Sequence, residues 1–222
     1  MKRIVVTGGA GFIGSNFVRC MLAAYPDVHI VNFDKLTYAG NLDNLKGIDE
    51  RRHTFIKGDI CDKEAIRAAM KGCGAVVNFA AGSHVDRSIM GADDFIATNV
   101  AGVHNICEAA RELDTPRVLL VSTDEVYGSI DEGSFTEQSP PRPGNPYSAS
   151  KAGGELIALA HFNTFGTPII ITRGSNTYGP YQYPEKVLPL FVTNALDNQP
   201  LPLYSGGENN VRDWLYVEDH CR

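Results

Sequence analysis

A β-branched run that breaks into closely spaced glycines constrains this chain more than any other feature. Arg3-Ile4-Val5-Val6-Thr7 leads straight into Gly8-Gly9-Ala10-Gly11-Phe12-Ile13-Gly14. The glycines satisfy G-x-G-x-x-G at 9, 11 and 14, and G-x-x-G-x-x-G at 8, 11 and 14. Glycine there permits a tight strand-to-helix turn, close approach of backbone to a pyrophosphate, and close packing of helix on strand. The opening helix offers unpaired N–H groups to the anion. Ile13, Phe17, Val18, Met21 and Leu22 follow at helical spacing, the context that such a motif needs.

The same alternation continues. Residues 3–7, 28–33, 54–57, 75–79, 118–122 and 169–172 read as strands, and 63–70, 92–111 and 148–165 as Ala-rich helices without internal proline. Parallel strands need crossovers, so the pattern predicts an α/β fold with a doubly wound parallel sheet covered on both faces. After 173 the texture changes to loops dense in Gly, Pro, Asn and Tyr around one helical stretch, 188–196. We expect residues 1–173 to form a dinucleotide-binding domain and 174–222 to begin a substrate-binding region. A helix opens near Trp214 with no closing cap, so the sequence reads as truncated there.

Twenty residues beyond Gly14, Asp34 ends the second strand. A carboxylate there accepts the ribose hydroxyls of adenosine and repels a 2′-phosphate, which favours NAD over NADP, although Lys35 follows directly. Asp59-Ile60 falls near the adenine by the same logic; a turn aspartate explains it nearly as well.

Composition removes whole classes. A net charge of −6 lacks the basic face of a nucleic-acid binder. No run approaches the ~18 apolar residues of a membrane helix, and no secretory signal opens the chain, so a cytoplasmic protein is expected. The five cysteines, Cys20, Cys61, Cys73, Cys107 and Cys221, contain no C-x-x-C pair; neither a disulfide framework nor a metal site is expected, the His104/Cys107 spacing alone being too little.

Chemistry concentrates after the fifth strand. In Pro146-Tyr147-Ser148-Ala149-Ser150-Lys151, proline starts a helix and residues four apart share a face, so Tyr147 and Lys151 point together. A lysine cation and the positive nicotinamide of an oxidised cofactor would stabilise a phenolate able to take a proton from an alcohol. Ser122-Thr123 supplies a hydroxyl to hold the substrate oxygen. Asp124-Glu125 places two carboxylates side by side, where one can stay protonated while its neighbour ionises, the pairing that elimination of water requires. Lys186 and Arg212 suit a diphosphate, Tyr204 suits stacking on a base, and His84 could reach substrate or be structural.

Together with Asp34-Lys35-Leu36-Thr37-Tyr38-Ala39-Gly40-Asn41, Ser83-His84-Val85-Asp86-Arg87-Ser88, Ser175-Asn176 with Tyr178-Gly179-Pro180, and Arg212-Asp213-Trp214, these motifs resemble the dTDP-glucose 4,6-dehydratases. Those are extended short-chain dehydrogenases/reductases of Rossmann type. The resemblance spans essentially the whole chain, and the Thr-Asp-Glu triplet separates 4,6-dehydratases from 4-epimerases. It implies that Tyr147, tuned by Lys151 and aided by Thr123, oxidises carbon 4 of the sugar against NAD. Glu125 then removes the carbon 5 hydrogen, Asp124 protonates the hydroxyl leaving carbon 6, and hydride returns to carbon 6. Cofactor contacts are implied at Gly8, Gly11, Phe12, Ile13, Gly14, Asp34, Lys35, Leu36 and Thr37. Further contacts fall on Asp59, Ile60, Phe79, Ala80, Ala81, Ser83, Thr98, Tyr147 and Lys151. For the nucleotide sugar the matching positions are Ser83, Thr123, Asn176, Lys186, Val187, Pro202, Leu203, Tyr204 and Arg212. Gly82 stands where the family has Glu, Thr177 replaces its second Asn, and members run about a hundred residues longer.

Two other functions use the same features. A nucleotide-sugar 4-epimerase or decarboxylase would share the Tyr/Lys oxidation step, and a catalytically idle NAD-binding sensor would need only the glycine turn. The resemblance also implies a homodimer through 92–111 and 148–165, where Ala149, Ala152 and Gly153 permit close helix approach, within the chain or between chains.

Overall fold

The computed structural model describes residues 2–203 and 211–222. A six-stranded parallel sheet runs in the order β3-β2-β1-β4-β5-β6. The strands are β1 (Lys2–Thr7), β2 (Val28–Asp34), β3 (His53–Lys57), β4 (Ala75–Asn78), β5 (Val118–Thr123) and β6 (Ile169–Gly174). Strand order reverses between β1 and β4, the switch point at which doubly wound sheets bind ligands.

Alternate residues of each strand feed opposite layers. Val5, Val31 and Val76 pack with Ile66 and Met70 of α2 (Lys63–Met70) and Ile106 of α5 (Val103–Glu112). Val6, Ile30 and Val77 meet Phe17, Val18 and Leu22 of α1 (Phe12–Ala24). Both faces are thus dry, which is why these strands read as near-continuous apolar runs.

Three places differ from the sequence reading. The stretch 92–111 is one helical run with an internal change of winding: α4 (Asp93–Ile96), a π-helical segment Ala97–Gly102, then α5. A short α3 (Val85–Met90) follows β4, capped by the His84 ring, a cap that composition does not advertise. Beyond β6, Trp214 begins a strand rather than a helix. A parallel pair, β7 (Asn176–Tyr178) and β8 (Trp214–Tyr216), precedes α8 (Val217–Cys221), because Tyr178 packs its ring on Trp214 and Tyr216. α7 (Val187–Leu196) buries none of its residues against the described chain.

The helix that matters most is α6 (Pro146–Phe165). Asn145 caps it: its side-chain carbonyl accepts from the Ser148 N–H (2.8 Å) while its own N–H donates to Ser148 Oγ (3.3 Å). Pro146 occupies the first turn, and Gly166 at φ 69 ends the helix in the left-handed conformation. The small residues Gly153 and Gly154 serve packing inside the chain, because a Cβ on Gly154 would strike the Asn99 carbonyl of the π segment. Extra winding at that segment is accommodated by the missing side chains.

A buried ion pair fastens α6 to the sheet. Arg173 of β6 grips Glu155 through Nε and Nη2 (3.0 and 2.6 Å), and its Nη1 donates to the Tyr127 hydroxyl (2.7 Å). Glu155 is only 2% exposed. Removing one partner of such a pair leaves the other charge stranded in low dielectric, which costs more than the pair itself contributes. Glu155→Gln should therefore lower the urea-unfolding free energy at neutral pH by about 3 kcal/mol. A loss under about 0.5 kcal/mol would mean that water reaches the guanidinium.

Candidate active site

A cleft of about 870 Å³ runs along the carboxyl ends of the strands. Each strand contributes the residues where it stops: Gly8 after β1, Asp34 at the end of β2, Gly58 after β3, Phe79 after β4, Thr123 of β5 and Gly174 of β6.

At one end the glycine turn behaves as its spacing predicts. Gly8 takes φ 68, and a Cβ there would collide with the backbone of Phe79 and Ala80; a Cβ on Gly14 would strike the Gly8 carbonyl. α1 begins at Gly11 with no side-chain cap among the described residues, which leaves its first amides free for an anion beside Phe12, Ile13 and Gly14. Asp34 is pinned by two backbone amides, Ala10 N–H on Oδ2 (2.9 Å) and Leu36 N–H on Oδ1 (2.8 Å). Lys35, the cation that complicates the choice of NAD, is engaged by Asp59 at 2.7 Å. Thr37, Ile60, Ala80, Ala81, Ser83 and Thr98 complete this half. Ser122 also lines the cleft, its hydroxyl buried and without a hydrogen-bond partner among the described residues. An open anion cradle, a fixed carboxylate and an orphaned hydroxyl fit a dinucleotide.

At the other end, Thr123, Glu125, Tyr147 and Lys151 line the same cleft. Thr123 Oγ1 accepts from the Glu125 N–H and donates to Asp124 Oδ1, both at 3.2 Å, starting a 3₁₀ turn Asp124–Tyr127. Glu125 Oε2 in turn accepts from the Asn145 side-chain amide (3.3 Å). Tyr147 is 9% exposed and Lys151 6%, with the Lys151 ammonium donating to the Val121 carbonyl (2.8 Å).

Burial sets the electrostatics. It pushes Lys151 down to about 8, against the attraction of Glu155. It also pushes the Tyr147 phenol well above its ordinary value, helped by the negative charge of Glu125 and Asp124 and opposed by a hydrogen bond with Thr123. Sequence reasoning expects Lys151 to favour phenolate; here two carboxylates and burial prevail, so the phenol needs further positive charge in the cleft to ionise. Asp124 is raised, chiefly by burial and further by Asp213, with Thr123 and nearby amides opposing; it keeps its proton longer than an ordinary aspartate.

Other expected residues fall differently. Asn176, Lys186 and Val187 line the cleft, and Lys186 Nζ donates to the Ser83 carbonyl (3.3 Å). Leu36 does not; at φ 58 it turns its amide onto Asp34 instead. Asp124 stands beside the lining, its carboxylate held by Thr123. Pro202 and Leu203 are exposed in an irregular segment after α7, and Arg212 folds back on the Val211 carbonyl (2.8 Å). Tyr204 lies outside the described residues. His84 meets Glu185 (3.6 Å) rather than the cleft. Gly82 leaves room for Phe95, whose ring a Cβ there would approach to 2.8 Å, and Phe95 meets Tyr147 edge-on. Thr177 hydrogen-bonds the His220 ring (2.8 Å).

Sequence reasoning missed the residues that hold the tyrosine in place. Asn99 spans Gly82 and Ser150: its Nδ2 donates to the Gly82 carbonyl (3.0 Å) and Ser150 Oγ (2.8 Å), and its Oδ1 accepts from the Gly82 N–H (3.0 Å). Ser88 Oγ accepts from the Tyr147 N–H (3.1 Å). The Asn145-Pro146 pair is a helix-start signal readable in advance.

The sequence model of the GDP-mannose 4,6 dehydratase family matches residues 5–222. The dTDP-glucose 4,6-dehydratase of Streptomyces niveus is 50% identical over 99% of this chain and 67% of its own length. The low-salt glycan biosynthesis protein Agl12 of Haloferax volcanii is 50% identical over 98% of this chain and 70% of its own. Among solved structures, DesIV of Streptomyces venezuelae, a dTDP-glucose 4,6-dehydratase with NAD bound, superposes with a TM-score of 0.95 at 54% identity, covering 99% of this chain and 69% of that one. The chain spans about two thirds of the length of these relatives.

The buried lysine has a thermodynamic signature. Its folded value near 8 lies below its ordinary 10.5, so between those values the unfolded chain holds a proton that the folded chain has released. Stability from this group must then rise with pH across that window, and below pH 8 the buried ammonium is a cost. Any stability difference between Lys151→Met and the native protein should shift by about 3 kcal/mol in favour of the native protein from pH 8 to 10.5, as read by urea unfolding. A difference independent of pH would show that Lys151 is hydrated.

Proposed function

We propose that this chain, which belongs to the GDP-mannose 4,6 dehydratase family, dehydrates the nucleotide hexose dTDP-glucose to its 4-keto-6-deoxy product. The observation that carries the reading is the meeting of Tyr147, Thr123 and Glu125 in one cleft whose other end is a dinucleotide cradle. NAD would fit that cradle, where it would supply a hydride acceptor for oxidation at carbon 4 and a hydride donor for reduction at carbon 6. Gly8, Gly11 and the first turn of α1 would hold its diphosphate, and Asp34 would take the adenosine ribose hydroxyls.

The side chains divide the proton work. Tyr147 takes the proton of the carbon 4 hydroxyl while Thr123 holds that oxygen. A ketone at carbon 4 acidifies the neighbouring hydrogen, and Glu125 removes it. The electron pair left on carbon 5 forms the double bond to carbon 6, and the carbon 6 hydroxyl leaves as water with the proton of Asp124. Burial, with Asp213 nearby, raises Asp124 above an ordinary aspartate, which favours it over its neighbour as the acid. Asn176, Lys186 and Val187 face the sugar-nucleotide side; Arg212, Pro202 and Leu203 would join them only after rearrangement of the segments that carry them.

We read residues 1–173 as the dinucleotide-binding domain and 174–222 as the start of the substrate region. A homodimer through α5 and α6 is supported by the exposed Leu156, Leu159 and Phe162 on the outer face of α6. No helix among the described residues is long and apolar enough to cross a membrane.

The full-length protein, incubated with a panel of nucleotide hexoses, should release a 4-keto-6-deoxy sugar that absorbs in alkali. Tyr147→Phe should reduce that output about a thousandfold. An epimer with its carbon 6 hydroxyl intact, or a product yield that ignores the tyrosine, would contradict the proposal.

A further inference from the structure

Glu125 has one side-chain hydrogen bond among the described residues, and it comes from the helix that carries the phenol. The capping box fixes which way the Asn145 amide faces. Its Oδ1 is committed to the Ser148 N–H (2.8 Å), so the Nδ2 hydrogens are left to point at Glu125 Oε2 (3.3 Å). Asn145 does not line the cleft and touches no reacting atom. Serine or aspartate would cap the helix about as well, so capping alone does not call for a side-chain donor here.

We propose that Asn145 is a positioning residue for the elimination step, holding the Glu125 carboxylate aimed into the cleft at a fixed offset from Tyr147. The inference rests on the dehydration proposed above. The donor comes from the cap of the helix that carries the phenol: Tyr147 follows Asn145 by two residues, and Glu125 and Tyr147 line one cleft. A hydrogen-bond donor fixes the direction in which a carboxylate oxygen points.

Two variants of the full-length protein separate positioning from capping. N145S keeps the cap and removes the amide donor. N145D keeps the acceptor for Ser148 and sets a second negative charge against Glu125. The readouts are the rate of water loss and the rate of coenzyme reduction in a single turnover, with urea unfolding to follow the cap. In N145S we expect water loss to slow about tenfold more than oxidation at carbon 4, with stability unchanged. N145D should slow water loss further. Water loss unchanged in both variants, or oxidation and water loss that fall together, would overturn the proposal. A native enzyme that oxidises carbon 4 but removes water from no nucleotide hexose would instead overturn the dehydration on which it rests.

Discussion

A capping hydrogen bond at the start of one helix decides where the chemistry can happen. The Ser148 N–H on Asn145 Oδ1 fixes the first turn of α6, and that turn carries Tyr147 into the cleft with Lys151 one turn behind. Everything around this turn resists its movement. Ser88 holds the Tyr147 amide, Asn99 reaches Ser150 from the π segment, the Lys151 ammonium is tied to the Val121 carbonyl of β5, and Arg173 clamps Glu155 from β6. A buried phenol and a buried ammonium are costly to hold, and these bonds keep both from turning toward water.

The sheet supplies the counterpart. Because β5 stops at Thr123, the carboxylates that follow fall into a 3₁₀ turn facing α6, and their charge reaches the phenol. Burial first, and then that repulsion, raise the Tyr147 phenol above its ordinary value, so positive charge brought into the cleft would ease its ionisation. The two carboxylates differ by environment: Asp124 is pulled toward its acid form by burial and Asp213, whereas Glu125 receives the Asn145 amide. Two adjacent carboxyl groups thereby sit in different environments, as the proposed division into acid and base requires.

Much of this is written locally in the chain. The glycine turn, Asp34 at the end of β2, and the i, i+4 spacing of Tyr147 and Lys151 follow from periods and turn chemistry that a few residues suffice to express. The places where reading along the chain falls short involve partners distant in sequence. Tyr178 finds Trp214 only in the folded chain, which turns an expected helix start into β8. Lys35 finds Asp59 at 2.7 Å, a partner well along the chain that its own neighbourhood does not announce. The effect of Lys151 on the phenol could not be ranked against that of Glu125 without knowing that burial strips solvent from both Tyr147 and Lys151. Arg212 carries the charge that suits a diphosphate, yet its guanidinium rests on its own backbone.

The central claim is that one phenol and one carboxylate act on adjacent carbons of the same hexose. Supplying the full-length enzyme with dTDP-glucose deuterated at carbon 4, in ordinary water, tests it directly by NMR of the product. The account predicts that the deuterium reappears at carbon 6 of the deoxy sugar. Deuterium retained at carbon 4, with the carbon 6 hydroxyl still in place, would contradict it.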